Sequence, residues 1–281
     1  MNVDEYERLD RVEHDHWWFA GLRDLLARLI RAAGMTSGGR QQGSCEAVLD
    51  AGCGTGENLR FLDELLQPPR LAGFDLSPEA VERARRKAPR AAIEQADLTA
   101  LRIERSGFDL VLCCDVLYTT GLAAARPGLE SIVEGMPPGG ILILHVPAYQ
   151  WLYSPHDVAV HTRERFTARQ IRQLVADIGL QEERLTYRVS LLFPLIVLRR
   201  LPALLARLAR GGNRKETAGR QAETVSEVAM PHAWLNRLLR WVLSIENRII
   251  EWGVSLPFGS SIIAVARKRD FAGVHLTEVA A

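Results

Sequence analysis

The sequence is short of the features that mark many functional classes. Its formal net charge is only +1 over 281 residues, so no global field gathers nucleic acid or repels acidic small molecules. The four cysteines, Cys45, Cys53, Cys113 and Cys114, form no C-x-x-C pair and no metal-ligand spacing. Neither a metal site nor a redox motif is expected from them, and they read as buried free thiols of a reducing compartment. The opening MNVDEYERLD is acidic and has no apolar core segment, which is the wrong pattern for a secretory signal and points to the cytoplasm. No apolar stretch is long enough without charge to cross a bilayer, and there is no internal repeat. What is present is a chain 47% hydrophobic, enough for one large domain with elaborations or one domain with a small cap.

The chain is organised around residues 47–56, AVLDAGCGTG. Ala47, Val48 and Leu49 lead to Asp50, then to a loop carrying Gly52, Gly54 and Gly56, and helical sequence starts at Glu57. An apolar run entering a glycine loop and then a helix brings bare backbone up to a nucleotide-like ligand.

Before this loop, residues 4–33 read as helical with a break near His16, Trp17, Trp18 and Phe19. Two readings stand for that aromatic cluster: a helix pinned to the core by burial, or a lid over a ligand. Gly34 and then Ser37, Gly38 and Gly39 end the helix in a flexible connection. From residue 47, strand-like stretches at 47–51, 71–75, 91–95, 108–114 and 140–146 alternate with helical ones near 57–66, 78–88 and 122–135. This predicts a parallel sheet with helices on both faces. Ser77 before Pro78, and Thr167 before a helix running to about Ile178, mark helix starts. Strands are expected again at 181–190 and 260–268. Between them the apolar run 191–198, an arginine-punctuated leucine-rich segment (Arg199, Arg200, Arg207, Arg210), a polar loop at 211–227 and an amphipathic helix near 231–252 break the alternation.

Three carboxylates follow the loop at equivalent places, the carboxyl ends of parallel strands, where open α/β sheets bind ligands. Asp75 in GFDLS can accept both hydroxyls of a ribose, Asp97 in QADL is placed for an adenine amino group with Leu98 beside it, and Asp115 ends FDLVLCCDVL. The ordered set LDAGCGTG, Asp75, Asp97 with Leu98, FDLVLCCDVL and PPGG resembles the class I S-adenosylmethionine-dependent methyltransferases over about residues 45–147. The resemblance implies an α/β, Rossmann-like seven-stranded sheet, mostly parallel with the last strand antiparallel. It implies that Asp50 and the backbone of Ala51, Gly52 and Gly54 surround the methionine part of S-adenosylmethionine, with Gly56 completing the loop. Asp75 and Leu76 would take the ribose, Asp97 and Leu98 the adenine, and Asp115 and Val116 would lie near the methionine end. HWWF at 16–19 with Arg23, and PAYQWLYSPHDVAVHTRERFT at 147–167, resemble a bacterial subgroup that modifies small molecules or saccharide- and lipid-linked intermediates. Trp18 and Arg23 therefore join the expected cofactor set, and no metal is implied.

The sulfonium of such a cofactor is already electrophilic, so the protein must align a nucleophile and exclude water, with a base only if the nucleophile arrives protonated. The candidates for that base or for a substrate ligand are His156, His161 and Tyr118. The expected acceptor wall holds Tyr149, Trp151, Tyr153, Arg163 and Arg165, with an arginine meeting an acidic group. The layout that follows is a helical lid (1–40), the cofactor-binding core (41–190), a helical insertion (191–257), the last strand (258–270) and a disordered tail (271–281). Residues 191–252 either cap the site or rest peripherally on the inner membrane face to reach a lipid-linked acceptor. Two other functions compete: a catalytically silent cofactor-binding protein, and an NAD(P)-dependent oxidoreductase. The second fits less well, because Glu57 stands where G-x-G-x-x-G needs its third glycine, beside the place of a pyrophosphate. Nucleic acid is not an expected partner, since no aromatic-plus-basic platform and no Asn-Pro-Pro-aromatic motif is present.

Overall fold

The computed structural model describes residues 3–36, 45–102, 107–209 and 229–269. The expected glycine-rich connection around 37–39, the polar loop at 211–227 and the tail at 271–281 lie outside them. Two helices come first, α1 (Val3–Val12) and α2 (Trp17–Ala32). The break between them is made by His16, whose Nδ1 accepts the Trp18 N–H at 3.3 Å as an N-cap. Burial lowers the His16 pKa to about 4, which keeps the ring neutral and able to accept.

The alternating region folds as β1 (Ala47–Ala51), α3 (Glu57–Leu66), β2 (Arg70–Asp75), α4 (Pro78–Lys87), β3 (Ala92–Gln95), β4 (Leu110–Cys114), α5 (Leu117–Thr120), α6 (Leu122–Gly135) and β5 (Ile141–Pro147). It continues through α7 (Pro155–Ala159), α8 (Ala168–Asp177), β6 (Leu180–Arg188), α9 (Phe193–Ala209), α10 (Ala233–Glu251) and β7 (Ser261–Lys268). The strands form one seven-stranded sheet in the order β3-β2-β1-β4-β5-β7-β6. All pairs are parallel except those of β7, which runs antiparallel to both β5 and β6. Every residue of β1 and of β4 is buried, as in strands covered on both faces, with Asp50 the one polar side chain among them. Large apolar clusters lie on each side, one including Leu129, Ile132 and Ile171, the other Leu25, Leu59 and Val81. Strand order reverses between β1 and β4, so the cleft at their carboxyl ends is the natural ligand site.

Most boundaries fall within one residue of the sequence pattern, and two strand ends differ by two residues, each for a visible reason. The fourth strand starts at Leu110 and leaves out Phe108 and Asp109, because the Asp109 carboxylate turns back to accept the N–H groups of Glu46 (2.8 Å) and Ala47 (2.9 Å). The sixth ends at Arg188, where Val189 takes φ 62° and Glu246 of α10 accepts the N–H groups of Val189 (2.5 Å) and Leu191 (2.9 Å). The expected helix starts hold. Ser77 Oγ accepts from the Ala80 N–H ahead of α4, and Thr167 forms a capping box with Gln170.

Candidate active site

A cavity of about 1080 Å³ opens at the carboxyl edge of the sheet. Gly52, Cys53, Gly54, Asp75, Leu76, Asp97, Leu98, Asp115 and Val116 make its floor, and Tyr6 and Leu9 of α1 with Trp17, Trp18 and Arg23 of α2 close one side. Its far wall carries Tyr118, Trp151, Tyr153, His156, His161, Arg163 and Arg165, then Ile196 and Arg199 of α9 and Leu235 and Leu239 of α10. The N-terminal helices and the insertion thus both contribute wall to one space.

The floor is built by backbone. Gly52 holds φ 81°, and a Cβ there would stand 2.3 Å from Val116 Cγ2, so the ends of β1 and β4 approach as closely as they do only because that atom is missing. Asp75 is fixed from both sides: its Oδ2 accepts the Gly54 N–H at 2.9 Å and its Oδ1 the Ser77 N–H at 3.0 Å. Burial raises its pKa, and those two N–H groups offset part of the rise. Asp97 caps the single turn at residues 98–100 by accepting the Thr99 N–H at 2.8 Å, which sets Leu98 against the cavity.

Several expected residues are off the wall. Asp50 and Ala51 are fully buried beneath it. Both Asp50 oxygens lack a hydrogen-bond partner among the described residues, and burial, with the Asp75 charge behind it, raises the Asp50 pKa to about 7. Gly56, at φ 89°, packs on α4, where a Cβ would come 2.7 Å from Ala84 Cα. Tyr149 also leaves the cavity, stacked on Tyr187 with ring centroids 5.1 Å apart. Arg165 reaches the wall, but its charge is engaged. Its Nε meets Asp157 Oδ1 at 2.7 Å and its Nη1 donates to the Ala148 carbonyl at 2.9 Å. The pair is buried, with Asp157 also accepting from Ser154, so Arg165 braces the loop, whereas Arg163 is exposed. Arg23 is likewise committed, donating to the Glu13 carbonyl at 2.9 Å and standing 3.7 Å from Glu57.

Other residues at the site were not singled out by the sequence. His145, fully buried on β5, stands with Nδ1 3.0 Å from Asp115 Oδ2. The one polar side chain inside ILILHVP was the available signal. Arg188, fully buried, donates from Nη2 to the Trp18 carbonyl at 2.7 Å and lays its guanidinium 5.0 Å from the Trp18 ring centroid. Burial lowers its pKa to about 10, so it stays charged. A charged network fastens α1 over the site. Lys87 pairs with Asp10 and Glu13, Thr55 donates to Glu13, and His14 meets Glu57 at 2.9 Å. Burial would raise the Glu57 pKa, but the hydrogen bonds from Arg60 and His14 outweigh it and hold the carboxylate ionised below its usual range.

A family model described as a methyltransferase domain matches residues 48–140, the stretch from β1 to the turn before β5 that builds the floor just described. The chain is similar to the class I S-adenosylmethionine-dependent methyltransferases over that stretch, about a third of its length, and its seven-stranded sheet has their fold. Trans-aconitate 2-methyltransferase of Methylobacterium nodulans is 32% identical over 124 residues, 44% of this chain and 43% of that protein. A dTDP-3-amino-3,6-dideoxy-alpha-D-glucopyranose N,N-dimethyltransferase of Streptomyces fradiae is 27% identical over 141 residues, 50% of this chain and 51% of that one. The chain spans about half the length of the curated relatives it matches. The structure of Haemonchus contortus phosphoethanolamine N-methyltransferase 2 with S-adenosyl-L-methionine shares the fold, with a TM-score of 0.52 and 17% identity over 88% of this chain and 52% of that one.

For a class I methyltransferase the floor residues fit the cofactor. Asp75 offers free lone pairs to two neighbouring hydroxyls, the glycine loop leaves room, and the orphaned Asp50 oxygens favour a cation nearby. Glu57, ionised at the start of α3, suits a ligand without phosphate. Among the described residues no cluster of three or more His, Cys, Asp or Glu could hold a metal ion.

Proposed function

We propose that this protein transfers a methyl group from S-adenosylmethionine to a small organic or lipid- or saccharide-linked acceptor. The observation that carries this is that one cavity joins the floor around Asp75 and Asp97 to an aromatic and basic wall large enough for a second molecule. The relatives named above act on a tricarboxylic acid and on a nucleotide-linked amino sugar by their names, and an acceptor of that general size suits the space.

In this reading Asp75 holds the ribose, Asp97 and Leu98 the adenine, and Gly52, Gly54, Asp115 and Val116 border the methionine end. S-adenosylmethionine supplies an electrophilic methyl on sulfur. The protein's own work is to bind, orient and exclude water. Trp18, clamped by Arg188, and α1, fastened by Lys87, close the site against solvent. Arg163 meets an acidic group on the acceptor, while Trp151 and Tyr153 flank it. His156 or His161 takes a proton where the nucleophile carries one, and the phenol of Tyr118, whose pKa burial raises, donates a hydrogen bond. The protein works in the cytoplasm in this reading.

Calorimetry with S-adenosylhomocysteine, followed by methyl transfer to a panel of carboxylic acids, amino sugars and lipid-linked intermediates, tests the reading. Micromolar binding with turnover on one class supports it. Binding without any turnover would make the protein a silent relative, and preference for a dinucleotide would overturn the cofactor assignment.

A further inference from the structure

Among the described residues, eleven of the fourteen large apolar side chains left exposed fall between residues 191 and 258. On α10 they form a stripe: Trp234, Leu238, Trp241 and, just past its end, Trp252 share one face. The opposite face of the same helix buries Leu243, Glu246, Asn247 and Ile250. On α9, Leu195, Leu198 and Leu201 are exposed in the same way. Among the described residues, α10 packs on the body through that opposite face and leaves the outer stripe uncovered.

We propose that this surface docks on anionic phospholipid and that the acceptor is an amphiphile drawn from that surface. Tryptophan is favoured at the headgroup level, where an apolar ring with one polar edge is best accommodated. The stripe is flanked by exposed Arg237, Arg240 and Arg248, and the one exposed carboxylate of α10, Glu251, is paired with Arg28, although the whole chain carries only +1. Apolar side chains with arginines beside them match an interface of acyl chains and acidic headgroups. A second copy of the chain is the poorer occupant, because a two-fold contact sets the same cationic patch against itself. The helices lie on the surface and do not cross it, since no described helix is long and apolar enough to span a membrane.

The same two helices also reach the cavity. Ile196 on α9 and Leu235 and Leu239 on α10 line the cavity from the helices whose outer faces carry Leu195, Leu198, Trp234 and Leu238. Trp151, itself 42% exposed, completes the wall between them. An acyl or isoprenoid chain leaving the bilayer would keep apolar contact along that path. This second half of the proposal rests on the methyl-transfer reading, whereas the docking itself does not.

The test floats the purified full chain with vesicles of phosphatidylcholine alone or mixed with phosphatidylglycerol. Flotation with the acidic vesicles only, reversed by high salt, is expected. Arg237→Gln and Arg248→Gln should each weaken it by roughly fivefold. Changing Trp234, Leu238 and Trp241 together to Gln should abolish it while S-adenosylhomocysteine affinity stays within about twofold of wild type. No flotation, or a stable dimer that this triple change dissociates with no vesicle binding, overturns the docking. Flotation by a protein that fails to bind S-adenosylhomocysteine leaves docking standing and removes the methyl-transfer reading. For the acceptor, methyl label from S-adenosylmethionine should pass into the organic phase of extracted lipid vesicles, and label found only in water-soluble products overturns the amphiphile.

Discussion

Asp115 Oδ2 lies 3.0 Å from His145 Nδ1, one side chain on the cavity wall and the other fully buried behind it. Asp115 is also held at φ 56°, a conformation unusual for a residue with a Cβ. In our reading a carboxylate so anchored borders the methionine end of the site. If it steers the acceptor or takes its proton, Asp115→Asn should lower turnover by about a hundredfold and leave S-adenosylhomocysteine binding within roughly threefold. His145→Asn should show the same split more weakly. Parallel losses of binding and turnover in both variants would assign the pair to cofactor binding instead.

Asp75 carries the ribose in our reading through bonds to an ionised acceptor, worth roughly 1.5–3 kcal/mol. Asp75→Ala is therefore expected to weaken S-adenosylhomocysteine binding by about ten- to hundredfold, measured by calorimetry. The folded state should survive, as checked by circular dichroism. Unchanged affinity would remove Asp75 from the site.

Asp50 sets a pH dependence with a defined sign. Its pKa rises from 3.8 to about 7 on folding, burial being the main cause. Between those values the folded chain keeps a proton that the unfolded chain has released. The associated stability is complete below about pH 4 and is lost as pH rises through about 7. Asp50→Asn has no such titration, so its stability relative to wild type should climb with pH over that window, by roughly 4 kcal/mol at most. Urea unfolding at pH 4.5 and pH 8 checks this, and parallel profiles for the two proteins would refute it.

Arg165 and Asp157 form a buried pair, and breaking one side should leave a buried unpaired charge costing about 3–5 kcal/mol. Arg165→Met should therefore lower the thermal midpoint by roughly 6–20 °C. The double change with Asp157→Leu should recover a large part of that. A single variant with wild-type stability and poorer acceptor affinity would return Arg165 to the role of anion ligand.

The fold was legible because its signals are local. An apolar run into a glycine loop, serine and threonine caps, and carboxylates at strand ends can each be read within a few residues, and Asp75, Asp97 and Asp115 all reached the cavity. The partners of Arg165 and Tyr149 were not legible, because they are set by the folded chain. Nothing near Arg165 in the sequence marks Asp157 as the carboxylate that takes its charge, and Tyr149 turns away on a positive φ to stack on Tyr187. His145 and Arg188 were missed for a related reason. Each sits in a strand where burial is expected to exclude it, and only the assembled site gives it Asp115 or Trp18 as a partner.

The clamp between α2 and α10 bears on how the chain is made. Asn236 donates to the Asp15 carbonyl and accepts from the Trp17 N–H at 2.8 Å, and Asn247 donates to the Gly21 carbonyl, partners more than two hundred residues apart. During synthesis at about 5–20 residues per second, the first helices therefore wait on the order of ten seconds or more for the segment that receives them. Until then Trp17 and Trp18 have no final resting place, and the nascent sheet stands uncovered at the edge where it will later work. Closing so long a loop is slow. Newly made protein should thus acquire its first five strands before its ability to retain ligand, a lag that ends when α10 and then β7, which joins β6 to the sheet, are in place.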